Sequence, residues 1–99
     1  MAESITLQPG TLIDRFGNPM GTYTAAAGAP FNTRGLPAGA YDTPYNAYQV
    51  ASPVTVQQSY VMSWFGSTTG MQFQLPQSVN SLLEQRILAP VSLPKPPLK

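Results

Sequence analysis

Polar and apolar positions change their spacing several times along the chain. In "MQFQLP", residues 71–76, Met71, Phe73 and Leu75 alternate with Gln72 and Gln74, which predicts a strand with glutamines on one face. "AYQVASPVTV" (47–56) and "SYVMSWF" (59–65) are rich in β-branched and aromatic residues and predict further strands. "TLIDRF" (11–16) and "GTYTA" (21–25) flank "GNPM", the punctuation of a tight connection, so they predict a hairpin with Arg15 and Phe16 at its turn end. From Ser78 the period changes: Val79, Leu82, Leu83, Arg86 and Ile87 share one helical face, Ser78 can cap the N-terminus, and Pro90 stops the helix. Between hairpin and strands, residues 27–48 are dense in Gly, Pro, Asn and Asp with no period. That predicts a long ordered loop, a kind of segment that often carries function.

These elements give an α+β class that is predominantly β: small twisted antiparallel sheets, long ordered loops and one short C-terminal amphipathic helix. Residues 1–9 read as an entry segment, 10–90 as one domain, and 91–99, with "LPKPPLK", as a proline-rich tail.

Composition narrows the chemistry. Only 9% of residues are charged, and the 11 prolines and 8 glycines favour turns over long helices. The net charge is +1 and the five cations are scattered, so no basic stripe for nucleic acid or membrane is visible. No cysteine and no histidine are present, which removes thiol nucleophiles, disulfides, the usual zinc sites, histidine-based triads and imidazole bases. Any catalysis runs on Arg, Gln, Asp, Glu, Tyr or backbone. No apolar run is long enough for a membrane span, and "MAESITLQPG" lacks the pattern of a signal peptide.

Taken singly, the candidates stay open. Asp14 and Arg15 read as a solvated turn pair. Arg34, between Thr33 and Gly35, has a planar fork suited to a diphosphate or a carboxylate, or equally to loop carbonyls. Gln72 reads as the solvent-facing residue of an edge strand, or as a group that orients a hydroxyl or water; it has no proton to titrate. Trp64 and Phe65 are core residues or a stacking platform. "GSTTG" lacks the lysine and the spacing of a phosphate-binding loop. No two of Glu3, Asp14, Asp42 and Glu84 are spaced like a paired acid–base machine.

The ordered series "GTLIDRFGNPMGTYTAAAGAPFNTRGLP", "YNAYQV", "SWFGSTTGMQFQLP" and "VNSLLEQRIL" resembles the tuberculosis necrotizing toxin domain, which fungal secreted NADases share, over roughly residues 10–88. The resemblance implies an NAD(P)+ glycohydrolase that releases nicotinamide and ADP-ribose, in a toxin or effector delivered to a target-cell cytoplasm. It implies Arg34 and Gln72 as catalytic residues, and Arg15, Phe16, Thr22 and Tyr23 at the nicotinamide and phosphate end of the pocket; Trp64 and Phe65, beside the "GSTTG" loop, are added as substrate-binding candidates for their stacking faces. NAD+ or NADP+ is then the substrate. The expectations are no cofactor, no metal, no nucleic acid or membrane partner, a monomer, and a cognate immunity protein. "STTG" stands where the family carries a glycine-rich run before the glutamine, so the alternative is a weak or inactive member that binds dinucleotide or protein. Gln74, where ADP-ribosyl transferases commonly place a glutamate, speaks against transfer to protein.

Overall fold

The computed structural model describes residues 2–61 and 70–99. Its strands are β1 (Glu3–Leu7), β2 (Leu12–Phe16), β3 (Tyr23–Ala26), β4 (Tyr45–Val50), β5 (Val54–Tyr60), β6 (Met71–Gln74) and β7 (Leu88–Val91), with one helix, α1 (Val79–Glu84), between β6 and β7. All strand pairs are antiparallel, and together they form one seven-stranded sheet in the order β1-β5-β6-β3-β2-β4-β7. β1 falls in the stretch read as an entry segment, where Ile5 and Leu7 pair with Val56 and Val54.

The alternation along the strands sorts side chains onto two faces. One face carries the main core: Ile13, Tyr48, Val50, Val54, Val56 and Phe73 pack with Val79 and Leu82 of α1. Ile13, Val50, Val56, Val79 and Leu82 are all but inaccessible, each stabilising the fold by roughly 1.5–3 kcal/mol. On the other face lie Asp14, Phe16 and Tyr45, covered by the loop between β3 and β4, which ends at Pro44 rather than at residue 48 because Tyr45–Tyr48 pair into the sheet, and which holds two 3₁₀ turns at Phe31–Thr33 and Ala38–Asp42. Here the rings of Phe16, Phe31, Tyr41 and Tyr45 form a second, aromatic cluster, with centroids 5.1–5.7 Å apart.

The β2–β3 hairpin forms as its punctuation predicts, with Ile13 opposite Ala26 and Asp14 opposite Ala25. Its connection also closes over the helix: the amides of Val79 and Asn80, unpaired donors in the first turn of α1, bond to the carbonyls of Gly21 and Pro19. Ser78 caps the helix by accepting from the Ser81 amide at 3.1 Å. The helix ends at Glu84, earlier than its apolar period reaches, because Arg86 takes a left-handed φ of 60°. The Ile87 amide then bonds to the Leu82 carbonyl and the Arg86 amide to that of Leu83, the Schellman arrangement. Ile87 leads into β7, an edge strand, where Pro90 leaves no ladder partner unmet.

Candidate active site

The ends of β2, β3 and β6 and the loop after Pro30 enclose a cavity of about 380 Å³, within the range of small-molecule sites. Its walls include Asp14, Arg15, Phe16, Tyr23, Arg34, Leu36, Tyr60, Met71 and Gln72. Five residues singled out from sequence, Arg15, Phe16, Tyr23, Arg34 and Gln72, thus share one cavity. Thr22 is not on its wall; its carbonyl accepts the Leu75 amide at 2.8 Å. Trp64 and Phe65 lie outside the described residues.

Arg34 reaches this face from the end of the Phe31–Thr33 turn and is 9% exposed. Its Nη1 donates to Asp14 Oδ1 at 2.6 Å and its Nη2 to Oδ2 at 2.9 Å, a forked, buried ion pair. Nε and Nη2 also donate to the Ala29 carbonyl, at 3.1 and 2.8 Å. Four of its five N–H groups are thereby committed, and one on Nη1 has no acceptor among the described residues. The guanidinium carbon stands 5.0 Å from the Phe16 ring centroid, a cation–π contact.

Asp14 is no solvated turn residue: its exposure is 0% and its partner is Arg34 rather than Arg15. Strand alternation turns it inward with Phe16 while Arg15 goes to the opposite face. Oδ2 further accepts from the Gly28 amide at 3.0 Å and the Tyr45 hydroxyl at 2.7 Å. A buried carboxylate needs such partners. Burial, then the hydrogen bond to Asp14 and its charge, push the Tyr45 phenol well above its ordinary value, against the opposing pull of Arg34. The phenol therefore stays protonated and remains a donor.

Arg15 is held differently. Nε donates to the Asn18 carbonyl at 2.8 Å and Nη1 to that of Tyr23 at 2.9 Å, and no carboxylate among the described residues pairs with it. Gly21 makes room for it, since a β-carbon there would stand 2.0 Å from Arg15 Nη2. Gln72 lies opposite Ser59 in the β5–β6 pair, and its Nε2 donates to Ser59 Oγ at 3.2 Å. The amide is thereby oriented, and its Oε1 has no donor among the described residues. Gly70 ties this strand to the Arg34 turn: a β-carbon on it would stand 2.4 Å from the Thr33 carbonyl oxygen.

Chemically, the cavity offers one compensated guanidinium, a fixed neutral amide and aromatic walls, with Arg15 in its lining between Asp14 and Phe16. It can hold an anionic, ring-bearing ligand and orient hydroxyls or water, and it has no imidazole or thiol. Among the described residues no group of three carboxylates could hold a metal ion, and no helix is long and apolar enough to cross a membrane. Sequence reading missed Tyr45 and the buried pairing of Asp14 with Arg34. The available signal was an acid sharing the inward face of β2 with Phe16, a position that demands a buried cation.

Residues 6–91 match the family model described as Tuberculosis necrotizing toxin. Over 91 residues the chain is 34% identical to the conidial surface nicotinamide adenine dinucleotide glycohydrolase nadA of Aspergillus fumigatus, covering 84% of this chain and 39% of that protein. The fold is similar to tuberculosis necrotizing toxin complexed with its immunity factor, with a TM-score of 0.68, 22% identity, and coverage of 87% of this chain and 54% of that one. It is also similar to Rhs1-CT in complex with its cognate immunity protein, with a TM-score of 0.64, 19% identity, and coverage of 94% and 79%.

Proposed function

The chain belongs to the tuberculosis necrotizing toxin family, and on that footing we propose that its cavity binds NAD+ or NADP+ and hydrolyses the bond between nicotinamide and ribose. The observation that carries the reading is the convergence of Arg15, Arg34, Phe16, Tyr23 and Gln72 on one cavity. The NAD glycohydrolase relative supports it, although this chain spans only 39% of that protein's length.

Nicotinamide in NAD+ is already a pyridinium, so it leaves as a neutral molecule without being protonated. The glycosidic electron pair goes to the ring nitrogen, a water oxygen bonds to the ribose carbon, and the water's proton passes to solvent. Such a reaction needs positioning and fixed dipoles more than a strong base. Arg15, which turns its guanidinium to the other face of β2 and bonds the Asn18 and Tyr23 carbonyls, shapes the end of the cavity where the β2–β3 connection closes. Phe16 and Tyr23 flank the nicotinamide ring. Gln72 Oε1 accepts from a ribose hydroxyl or the attacking water, its orientation set by Ser59. Arg34, compensated by Asp14, offers its remaining Nη1 N–H to the ribose or phosphate and fixes the cavity's shape.

A second reading is favoured by that compensation: four N–H groups of Arg34 serve the fold, which also suits a domain that binds dinucleotide without turning it over. Chromatographic detection of nicotinamide from NAD+ and NADP+ at micromolar protein decides between them. Release that Gln72→Ala abolishes supports hydrolysis, whereas calorimetric binding without release supports the second reading. We further propose action as a delivered effector held in check by an immunity protein, supported by structural neighbours solved with such partners.

A further inference from the structure

The proline-rich segment after β7 lies outside the residues that match the family model, yet it is bonded to the loop that carries Arg34. The Phe31 amide donates to the Pro97 carbonyl at 2.8 Å and the Asn32 amide to the Leu98 carbonyl at 2.9 Å. These are the first two amides of the 3₁₀ turn that ends at Arg34, donors for which the turn itself has no acceptor. Just before these residues the segment grips the same loop again: the Tyr41 hydroxyl donates to the Pro96 carbonyl at 3.0 Å, and Lys95 Nζ stands 3.7 Å from the Tyr41 ring centroid. Pro96 is buried. An extended proline-rich strand suits this task, because its carbonyls are free to accept and little ordering is required of it.

From this arrangement we infer that residues 95–98 are positioning residues of the candidate active site: a strap that holds the Arg34 turn in place from outside. The inner side of the turn is fixed by Asp14, which grips the guanidinium, and by Gly70, which admits the Thr33 carbonyl. The strap supplies the opposing hold, through Phe31, whose ring packs on Phe16 at 5.1 Å beneath the Arg34 guanidinium. Loss of the strap frees the turn's two leading amides and loosens the cavity wall while the main core, on the other face of the sheet, stays intact.

The inference rests on the hydrolase reading for its catalytic consequence but not for its structural one, so the test reads both. A chain stopped after Pro94 is compared with the full chain by amide exchange and by nicotinamide release from NAD+. Expected are at least tenfold faster exchange at Phe31, Asn32 and Arg34, unchanged protection at Tyr48 and Val50, and kcat at least tenfold lower. Peptide 92–99 added in trans should restore both. Tyr41→Phe, which removes only the bond to Pro96, should move both readouts the same way by a few-fold. Unchanged exchange at Arg34 overturns the inference, and so does faster exchange with kcat within twofold of the full chain. Should neither chain release nicotinamide, the hydrolase reading fails, and exchange at Arg34 alone decides the strap.

Discussion

Replacing Arg34 by methionine keeps the apolar stem of the side chain and deletes the guanidinium. Asp14 then loses donors at 2.6 and 2.9 Å, and the Ala29 carbonyl loses both of its own. The Gly28 amide and Tyr45 hydroxyl remain, so a carboxylate with 0% exposure is left half-partnered and uncompensated. Breaking a buried pair in this way costs about 3–5 kcal/mol. A domain of 99 residues has only about 5–15 kcal/mol in total, so the expected loss is a large share of it. In urea, with a slope of about 2 kcal/mol per molar, the midpoint seen by circular dichroism falls by about 2 M. Adding Asp14→Asn removes the stranded charge while Oδ1 still accepts from Tyr45 or Gly28, so D14N/R34M should recover about 1–3 kcal/mol over R34M alone. A loss below about 1 kcal/mol in R34M, or no recovery in the double variant, would refute the role given to this pair. Lost activity in an Arg34 variant therefore needs a stability measurement beside it before it says anything about chemistry.

Gly21→Ala sets a β-carbon against the end of the Arg15 side chain, which can move only by giving up its bonds to the Asn18 and Tyr23 carbonyls, so stability should fall by about 1–3 kcal/mol. With Arg15 displaced, the end of the cavity closed by the β2–β3 connection loosens and KM for NAD+ should rise at least about threefold; an unchanged KM would remove Arg15 from any part in shaping the pocket. Alkaline pH should destabilise the fold: burial raises the Tyr45 and Tyr48 phenols, so above about pH 10 the unfolded chain gives up these protons first. Stability measured by urea titration should be level near neutrality and decline beyond pH 10, and Tyr45→Phe should make that decline shallower. Arg86→Gly relieves a left-handed backbone at φ 60° and should raise stability by about 0.5–1 kcal/mol; no gain would mean that the Arg86 side chain offsets the strain.

Local rules carried much of the fold. The glycine–proline punctuation gave the β2–β3 hairpin, alternation placed Phe73 inward and Gln72 outward on β6, and Ser78 marked the start of α1. The helix end was not legible, because it depends on a non-glycine residue taking a left-handed conformation at Arg86. Nor was the reach of β1 and of the 95–98 segment, whose partners lie 47 to 66 residues away and leave no local period. The site divided in the same way. Residue type and resemblance singled out Arg15, Phe16, Tyr23, Arg34 and Gln72, and the cavity gathers them. Asp14 was obscured by its neighbour: beside Arg15 in sequence it reads as a surface pair, while strand geometry turns the two to opposite faces and gives Asp14 to Arg34.

Nicotinamide release from NAD+ by the purified chain, run beside Gln72→Ala and the D14N/R34M pair with folding of each checked by circular dichroism, tests the central claim most directly. Catalytic release by the wild-type chain, lost in both folded variants, is the expected result. No release above the spontaneous rate, or release undiminished in folded Gln72→Ala, would contradict the assignment of this cavity as an NAD glycohydrolase site.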